Sequence, residues 1–270
     1  MTSLRIGAHV DQADPLAEAR ARGADLVQIF LGDPQGWKKP TVAYAGGAAG
    51  LRADLGTADV SLYVHAPYVL NVATGNNRIR IPSRKLLAQH ADLAAECGAA
   101  GLIVHGGHVL ATDDPETGVD NWAKTFERWE PPLPVLIENT AGGDKAMARR
   151  LERIARLWEV LDDRCEASTM AKVGFCLDTC HAHAGGEDLA GLVARVRAVT
   201  GRVDLVHAND SRDDFDSGAD RHANFGSGRI DGAALLAVVA DAGAPVVCET
   251  PGGAECQGAD ISWLRERLPG

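Results

Sequence analysis

The chain has 270 residues, of which 46% are hydrophobic and 24% charged, and its formal net charge is −10. That length suits one large α/β domain, and no apolar run approaches the ~20 residues needed to cross a membrane. An acidic balance taken alone argues against a nucleic-acid partner, but metal-binding carboxylates count as negative in this sum while the cations they hold reverse the sign locally.

Eight short apolar runs follow one another in chain order: Leu4–His9, Leu26–Phe30, Ser61–His65, Gly101–His105, Val135–Glu138, Val173–Asp178, Val203–His207 and Val246–Glu249. Continuous apolar runs predict strands buried on both faces, as in a parallel sheet. Between them lie Ala/Leu/Glu/Arg-rich stretches that suit amphipathic crossover helices: Pro15–Arg22, Ser83–Cys97, Lys145–Leu161, Leu189–Thr200 and Gly232–Ala242, with a last helix at Asp260–Leu268. Eight β–α units in a chain near the roughly 250 residues of a typical barrel predict one (β/α)₈ TIM-barrel domain over residues 1–270. The Gly/Pro-rich pieces Gly32–Gly50, Gly106–Trp122, Asn139–Asp144, Asn209–Ile230 and Thr250–Gly258 are predicted loops. The opening MTSLRIGAHVD has neither the charged start nor the long apolar core of a secretory leader, so a cytoplasmic protein is expected. Cys97, Cys165, Cys176, Cys180, Cys248 and Cys256 form no paired CxxC set and are expected as free thiols. Cys176 and Cys180 flank Asp178 and are read as packing residues.

Six of the eight runs end in a side chain able to bind metal: His65, His105, Glu138, Asp178, His207 and Glu249. In barrels of this kind the catalytic groups come from the carboxyl ends of several strands, so residues far apart in sequence converge at one mouth. The loops add His181, three residues after Asp178, and then Asp220 and His222 from the long Gly/Asp/Ser-rich loop after the seventh run. Five imidazoles and four carboxylates are too many for one ion, since a catalytic zinc takes about three protein ligands plus water. Three divalent ions are therefore expected. Any one histidine is more often packed than ligating, and His90, His108 and His183 are read that way. His9, which ends the first run, is read as a packed residue or as an outer support to the ligands.

Four motifs carry a family resemblance. Cys176-Leu177-Asp178-Thr179-Cys180-His181-Ala182, His207-Ala208-Asn209-Asp210-Ser211, Asp220-Arg221-His222 and Leu136-Ile137-Glu138-Asn139-Thr140-Ala141-Gly142 resemble the signatures of the endonuclease IV family of apurinic/apyrimidinic (AP) endonucleases. The likeness runs from Ile6-Gly7-Ala8-His9-Val10 to Cys248-Glu249-Thr250-Pro251. It implies a barrel with three Zn²⁺ ions per chain, Mn²⁺ being possible at part of the sites. His65 and His105 would hold the first ion with Glu138, which bridges to a second completed by Asp178, His207 and Glu249; His181, Asp220 and His222 would hold the third. Glu138, Asp178 and Glu249 would be the catalytic carboxylates, acting as ligands. The implied reaction is base excision repair on duplex DNA: hydrolysis 5′ to an abasic site, leaving a 3′-hydroxyl, together with cleaning of blocked 3′ ends. A multinuclear centre suits this chemistry because bound cations lower the pKa of water and stabilise charge on phosphate oxygens.

DNA contacts are expected from Tyr68 and Val69 as a wedge, from Trp37 and Lys38, with Lys39, in the loop Leu31–Thr41, and from Arg221; Asn71 is a further backbone contact. That loop departs from the family, since Gln35-Gly36 precede Trp37 where a long insertion side chain is common. A cytoplasmic monomer without a membrane partner is expected. The rival is a mononuclear Mn²⁺ or Mg²⁺ sugar isomerase or epimerase of the xylose-isomerase-like barrel group, for which Glu138, Asp178, His207 and Glu249 would suffice. A DNA-damage-binding protein without catalysis is the non-enzymatic alternative.

Overall fold

A computed structural model describes residues 4–268, so Met1–Ser3 and Pro269–Gly270 of the expected 1–270 domain lie outside the described residues. In chain order the elements are β1 (Ile6–His9), α1 (Pro15–Arg22), β2 (Leu26–Phe30), α2 (Gly47–Thr57), β3 (Ser61–His65), α3 (Asn77–Glu96), β4 (Gly101–His105), α4 (Glu116–Phe126) and β5 (Val135–Glu138). They continue with α5 (Leu151–Arg164), α6 (Ala167–Met170), β6 (Val173–Asp178), α7 (Thr179–Gly185), α8 (Leu192–Thr200), β7 (Leu205–His207), β8 (Asp210–Ser211), β9 (His222–Ala223), α9 (Gly232–Ala242), β10 (Val246–Cys248) and α10 (Gly253–Arg267). A closed barrel runs β1-β10-β7-β6-β5-β4-β3-β2, with every pair parallel. The predicted (β/α)₈ barrel is thus the observed architecture.

Two apolar cores support it. The larger packs the strands against the helices. The smaller takes Leu26, Tyr63, Ile103, Leu136, Cys176, Leu205 and Val247 from seven different strands and plugs the barrel interior. On β1 the equivalent place is Gly7, where a Cβ would sit 1.7 Å from the Leu26 carbonyl oxygen. Side chains alternate across a strand, so the residues two positions beyond this plug also point inward, one layer nearer the carboxyl ends. Those residues are His9, Gln28, His65, His105, Glu138, Asp178, His207 and Glu249.

Helix ends account for most departures from the predicted boundaries. α1 and α9 match because each has a capping Asp before it and a left-handed Gly after it: Asp14 with Gly23, and Asp231 with Gly243. α3 starts six residues before the predicted Ser83, on the Asn76 cap, and carries Pro82 within its second turn. α5 starts later than the predicted Lys145, at Leu151. The predicted loops Gly32–Gly50, Gly106–Trp122 and Thr250–Gly258 contain the starts of α2, α4 and α10. The loop after β7 is pinned by the antiparallel β8–β9 pair, in which Ser211 faces His222.

Candidate metal centre at the barrel mouth

The inward layer brings the six strand-end residues together, and two loops add the rest. Asp178 ends β6 and caps α7, its Oδ1 accepting from the His181 backbone N–H at 2.6 Å, so one carboxylate fixes the helix that presents His181. The β8–β9 pair carries His222 back over the mouth beside Asp220. Asp210 closes the return of that loop by accepting from the backbone N–H groups of Gly226, Gly228 and Ile230. Gly228 leaves no room for a side chain there, since a Cβ would lie 2.2 Å from the Ser211 carbonyl oxygen.

Three clusters result. His65 and His105 place their Nε2 atoms 3.1 and 3.4 Å from Glu138 Oε2. The other oxygen of Glu138 lies 3.0 Å from His207 Nδ1, which is 3.3 Å from Glu249 Oε2 and 3.9 Å from Asp178 Oδ2. Asp220 Oδ1 stands 3.1 Å from His181 Nε2 and 3.2 Å from His222 Nε2. In each of the sets His65–His105–Glu138, Glu138–Asp178–His207–Glu249 and His181–Asp220–His222, one donor atom per residue lies within 4.8 Å of the others. Cys180 shares such a set with Asp178 and His222, but burial and then Asp178 push its thiol up to about 12, which keeps it protonated.

Neighbouring groups fix the imidazoles. His65 Nδ1 meets the Ala66 carbonyl at 2.7 Å, His181 Nδ1 meets the Asn139 carbonyl at 2.9 Å, and His222 Nδ1 meets the Glu249 carbonyl at 3.3 Å. Each leaves Nε2 for its cluster. Asn139 and Asn209, expected as loop residues, both support the site. The Asn139 side chain bonds both backbone groups of Asp178, at 2.7 and 2.9 Å. Asn209 donates to Asp178 Oδ2 at 2.7 Å and accepts from the Glu249 N–H at 2.8 Å. Gln28 is a third supporting residue, and its place two residues after Leu26 is the sequence signal for it.

The residues present fit divalent cations. Glu138 and Asp178 are fully buried, and their charged partners among the described residues are imidazoles, with no Lys or Arg. Buried carboxylates without a positive partner are costly, so this floor demands positive charge. Burial opposes the charged form of His181 and His207, yet nearby anionic groups, Asp178 and Asp220 among them at His181 and Glu249 and Glu138 among them at His207, hold both pKa values well above the ordinary range. Burial also opposes charging of His222, but Asp220 and Asp178 raise its pKa to about 9. The Glu249 carboxyl, opposed by burial but drawn down first by His207, falls to about 2. His222 Nε2 is buried and, although 3.2 Å from Asp220 Oδ1, is not aligned for a hydrogen bond, as a nitrogen kept for a ligand would be.

The expected DNA-contact residues form the rim. Tyr68 is 54% and Trp37 47% exposed, and Lys38 and Lys39 are also exposed. The Tyr68 ring packs 5.6 Å from His65 and 5.8 Å from His105, while Val69 beside it is half-buried. Trp37, Tyr68, Val69 and His105 line a groove of about 590 Å³ that opens next to the first cluster. Two of the expected contact residues have partners within the chain. Arg221 is exposed but not free: its guanidinium forms an ion pair with Asp213, with Nε 2.8 Å from Oδ2. Asn71 is buried and bonds the His108 backbone and the Thr74 N–H, so it holds loops together instead of facing a partner. His9, Nδ1 of which lies 2.9 Å from Gln28 Nε2, takes the supporting position. His90, His108 and His183 lie outside the clusters.

Comparison with known proteins follows the same lines. The chain matches the model of the xylose isomerase-like TIM barrel family over residues 16–267. It is 54% identical over 262 residues to a probable endonuclease 4 of Mycobacterium tuberculosis, covering 97% of this chain and 98% of that relative. The crystal structure of endonuclease IV from Thermus thermophilus superimposes with a TM-score of 0.79 at 30% identity, covering 97% of this chain and 98% of that one. A D-tagatose 3-epimerase-like protein superimposes with a TM-score of 0.78 at 17% identity over 97% and 96% of the two chains, a likeness of fold alone.

Proposed function

The chain belongs to the endonuclease IV family and is an AP endonuclease, a DNA-hydrolysing enzyme; from that premise we propose that three divalent ions, zinc by preference, serve its reaction. The observation that carries this reading is Glu138, whose two oxygens face two different clusters, Oε2 towards His65 and His105 and Oε1 towards His207. One side chain would thereby serve two ions, with Asp178, His207 and Glu249 completing the second set. His181, Asp220 and His222 would hold a third ion on the more open side, where the Asp220 side chain is 53% exposed. Mn²⁺ can replace Zn²⁺ at such oxygen- and nitrogen-rich positions.

Ions bound there supply a water of lowered pKa and stabilise charge on the phosphate and the departing 3′ oxygen. Glu138, Asp178 and Glu249 act by holding and spacing them, and no separate side-chain nucleophile is required. The phosphate reaches this floor only if the abasic nucleotide leaves the helix, which costs a few kcal/mol and less where the base is already missing. Tyr68 and Val69 fill the gap it leaves, and Trp37 and Lys38 touch the flanking duplex. Arg221 gives up part of its pairing with Asp213 to meet a phosphate. Cleavage leaves a 3′-hydroxyl, and the same centre removes blocking groups from 3′ ends. The enzyme acts as a monomer and a single domain in the cytoplasm; among the described residues no helix is long and apolar enough to cross a membrane.

The rival sugar isomerase needs only Glu138, Asp178, His207 and Glu249, and the convergence of five further donor residues speaks against it. Two measurements test the reading together: metal per chain by plasma mass spectrometry, and turnover of an abasic-site duplex beside a panel of ketoses. About three ions and cleavage of the duplex are expected. One ion per chain with sugar turnover would overturn the proposal.

A further inference from the structure

We propose that Gln28 is the positioning residue for the ion at His207: it fixes which nitrogen of that imidazole faces the cluster. This rests on the metal reading above. His65, His181 and His222 each set their tautomer on a backbone carbonyl. His207 instead meets a side chain, its Nε2 lying 2.8 Å from Gln28 Oε1. Gln28 is fully buried and stands on β2, so it reaches past β1 and β10 to touch β7.

The orientation of the amide follows from its surroundings. Gln28 Nε2 lies 2.7 Å from Glu249 Oε1 and 2.9 Å from His9 Nδ1. A carboxylate only accepts, so the group facing Glu249 must be the NH₂. A flipped amide would set its oxygen against the Glu249 carboxylate. The amide oxygen therefore faces His207, and an oxygen there requires Nε2 to carry the proton. When a cation displaces the other proton, the lone pair would be on Nδ1, the atom that points at Glu138, Asp178 and Glu249. The same amide holds Glu249, another member of that cluster. All three of its polar positions are used, and two of them act on proposed ligands of one ion.

The test compares the unaltered chain with Gln28→Met, which keeps the shape and loses both polar functions. Each fully loaded protein is mixed with a chromophoric chelator and the release of zinc is followed in time. Loss of such an outer partner typically weakens a site 10- to 100-fold. Q28M is expected to release one ion per chain about that much faster, in the phase missing from His207→Ala. On abasic duplex, Q28M should lower kcat at least about tenfold with little change in KM. Release from Q28M at the unaltered rate would overturn the proposal. So would loss of all ions together with a lowered melting temperature of the metal-free protein, which would mark a packing role. Fewer than three ions in the unaltered chain would overturn the three-ion count instead; the Q28M comparison still stands, because it reads only the ion at His207.

Discussion

The floor of the barrel mouth and its rim meet at Tyr68, whose ring packs against His65 and His105 while 54% of the residue stays open. On the floor, Glu138, Asp178 and His207 are fully buried and each of their polar side-chain atoms has a fixed neighbour. On the rim, Trp37 is 47% exposed, and Lys38 and Lys39 have no hydrogen-bond or ion-pair partner among the described residues. The floor thus has its geometry set by folding, before any partner arrives, as a centre that must hold reacting groups to fractions of an ångström requires. The rim keeps side chains whose positions a bound duplex can still decide. Floor substitutions should therefore act on metal content and turnover, and rim substitutions on affinity.

The sharpest break would come from Glu138→Gln. The amide keeps the size but loses the charge that faces two clusters, and metal-ion stabilisation is worth several kcal/mol, so kcat should fall roughly a thousandfold or more. Metal per chain should drop by more than one equivalent. Full turnover with three ions retained would show that the bridging carboxylate does not organise the floor.

Tyr68→Ala tests the rim. Stacking of an aromatic on a base is worth about 1–3 kcal/mol, so affinity for abasic duplex should weaken about tenfold, with a smaller effect on cleavage at saturation. Unchanged affinity would count against the wedge. Lys38→Ala should do less. One lost phosphate contact lowers the slope of log affinity against log salt by about one, with little change at high salt, in a titration by fluorescence anisotropy. An unaltered slope would mean that Lys38 is merely solvated.

Much of this division was legible beforehand. The strands read almost to the residue because they are continuous buried runs, and their ends delivered six of the nine proposed ligands. α2 was hidden because GAAGLRADLGT lacks an apolar stripe, and the start of α3 was hidden by Pro82. Gln28 was overlooked because a neutral amide is not a usual metal ligand, although alternation from Leu26 placed it in the ligand layer. The pairing of Arg221 with Asp213, eight residues earlier, was not legible because nothing in the spacing shows that the loop folds back on itself.

His90 is the control that separates burial from site chemistry. It is 1% exposed, buried like His65, His181 and His207, but neither ring nitrogen has a partner, and burial alone pulls its pKa down to about 4. Its folded pKa lies below the ordinary 6.5, so the unfolded chain takes up a proton first as pH falls. The stability that His90 contributes as a neutral ring is complete above pH 6.5 and is lost between 6.5 and about 4. At about 1.4 kcal/mol per pKa unit, the loss approaches ~3 kcal/mol at the acid end. His90→Leu, which cannot be protonated, should leave abasic-site cleavage at neutral pH unchanged. It should also flatten the fall of melting temperature across that window, read by calorimetry on the metal-loaded protein. If cleavage falls with the substitution, α3 is coupled to the floor and the contrast between buried and catalytic histidines fails; if the acid dependence stays the same, the carboxylates of the mouth account for it instead.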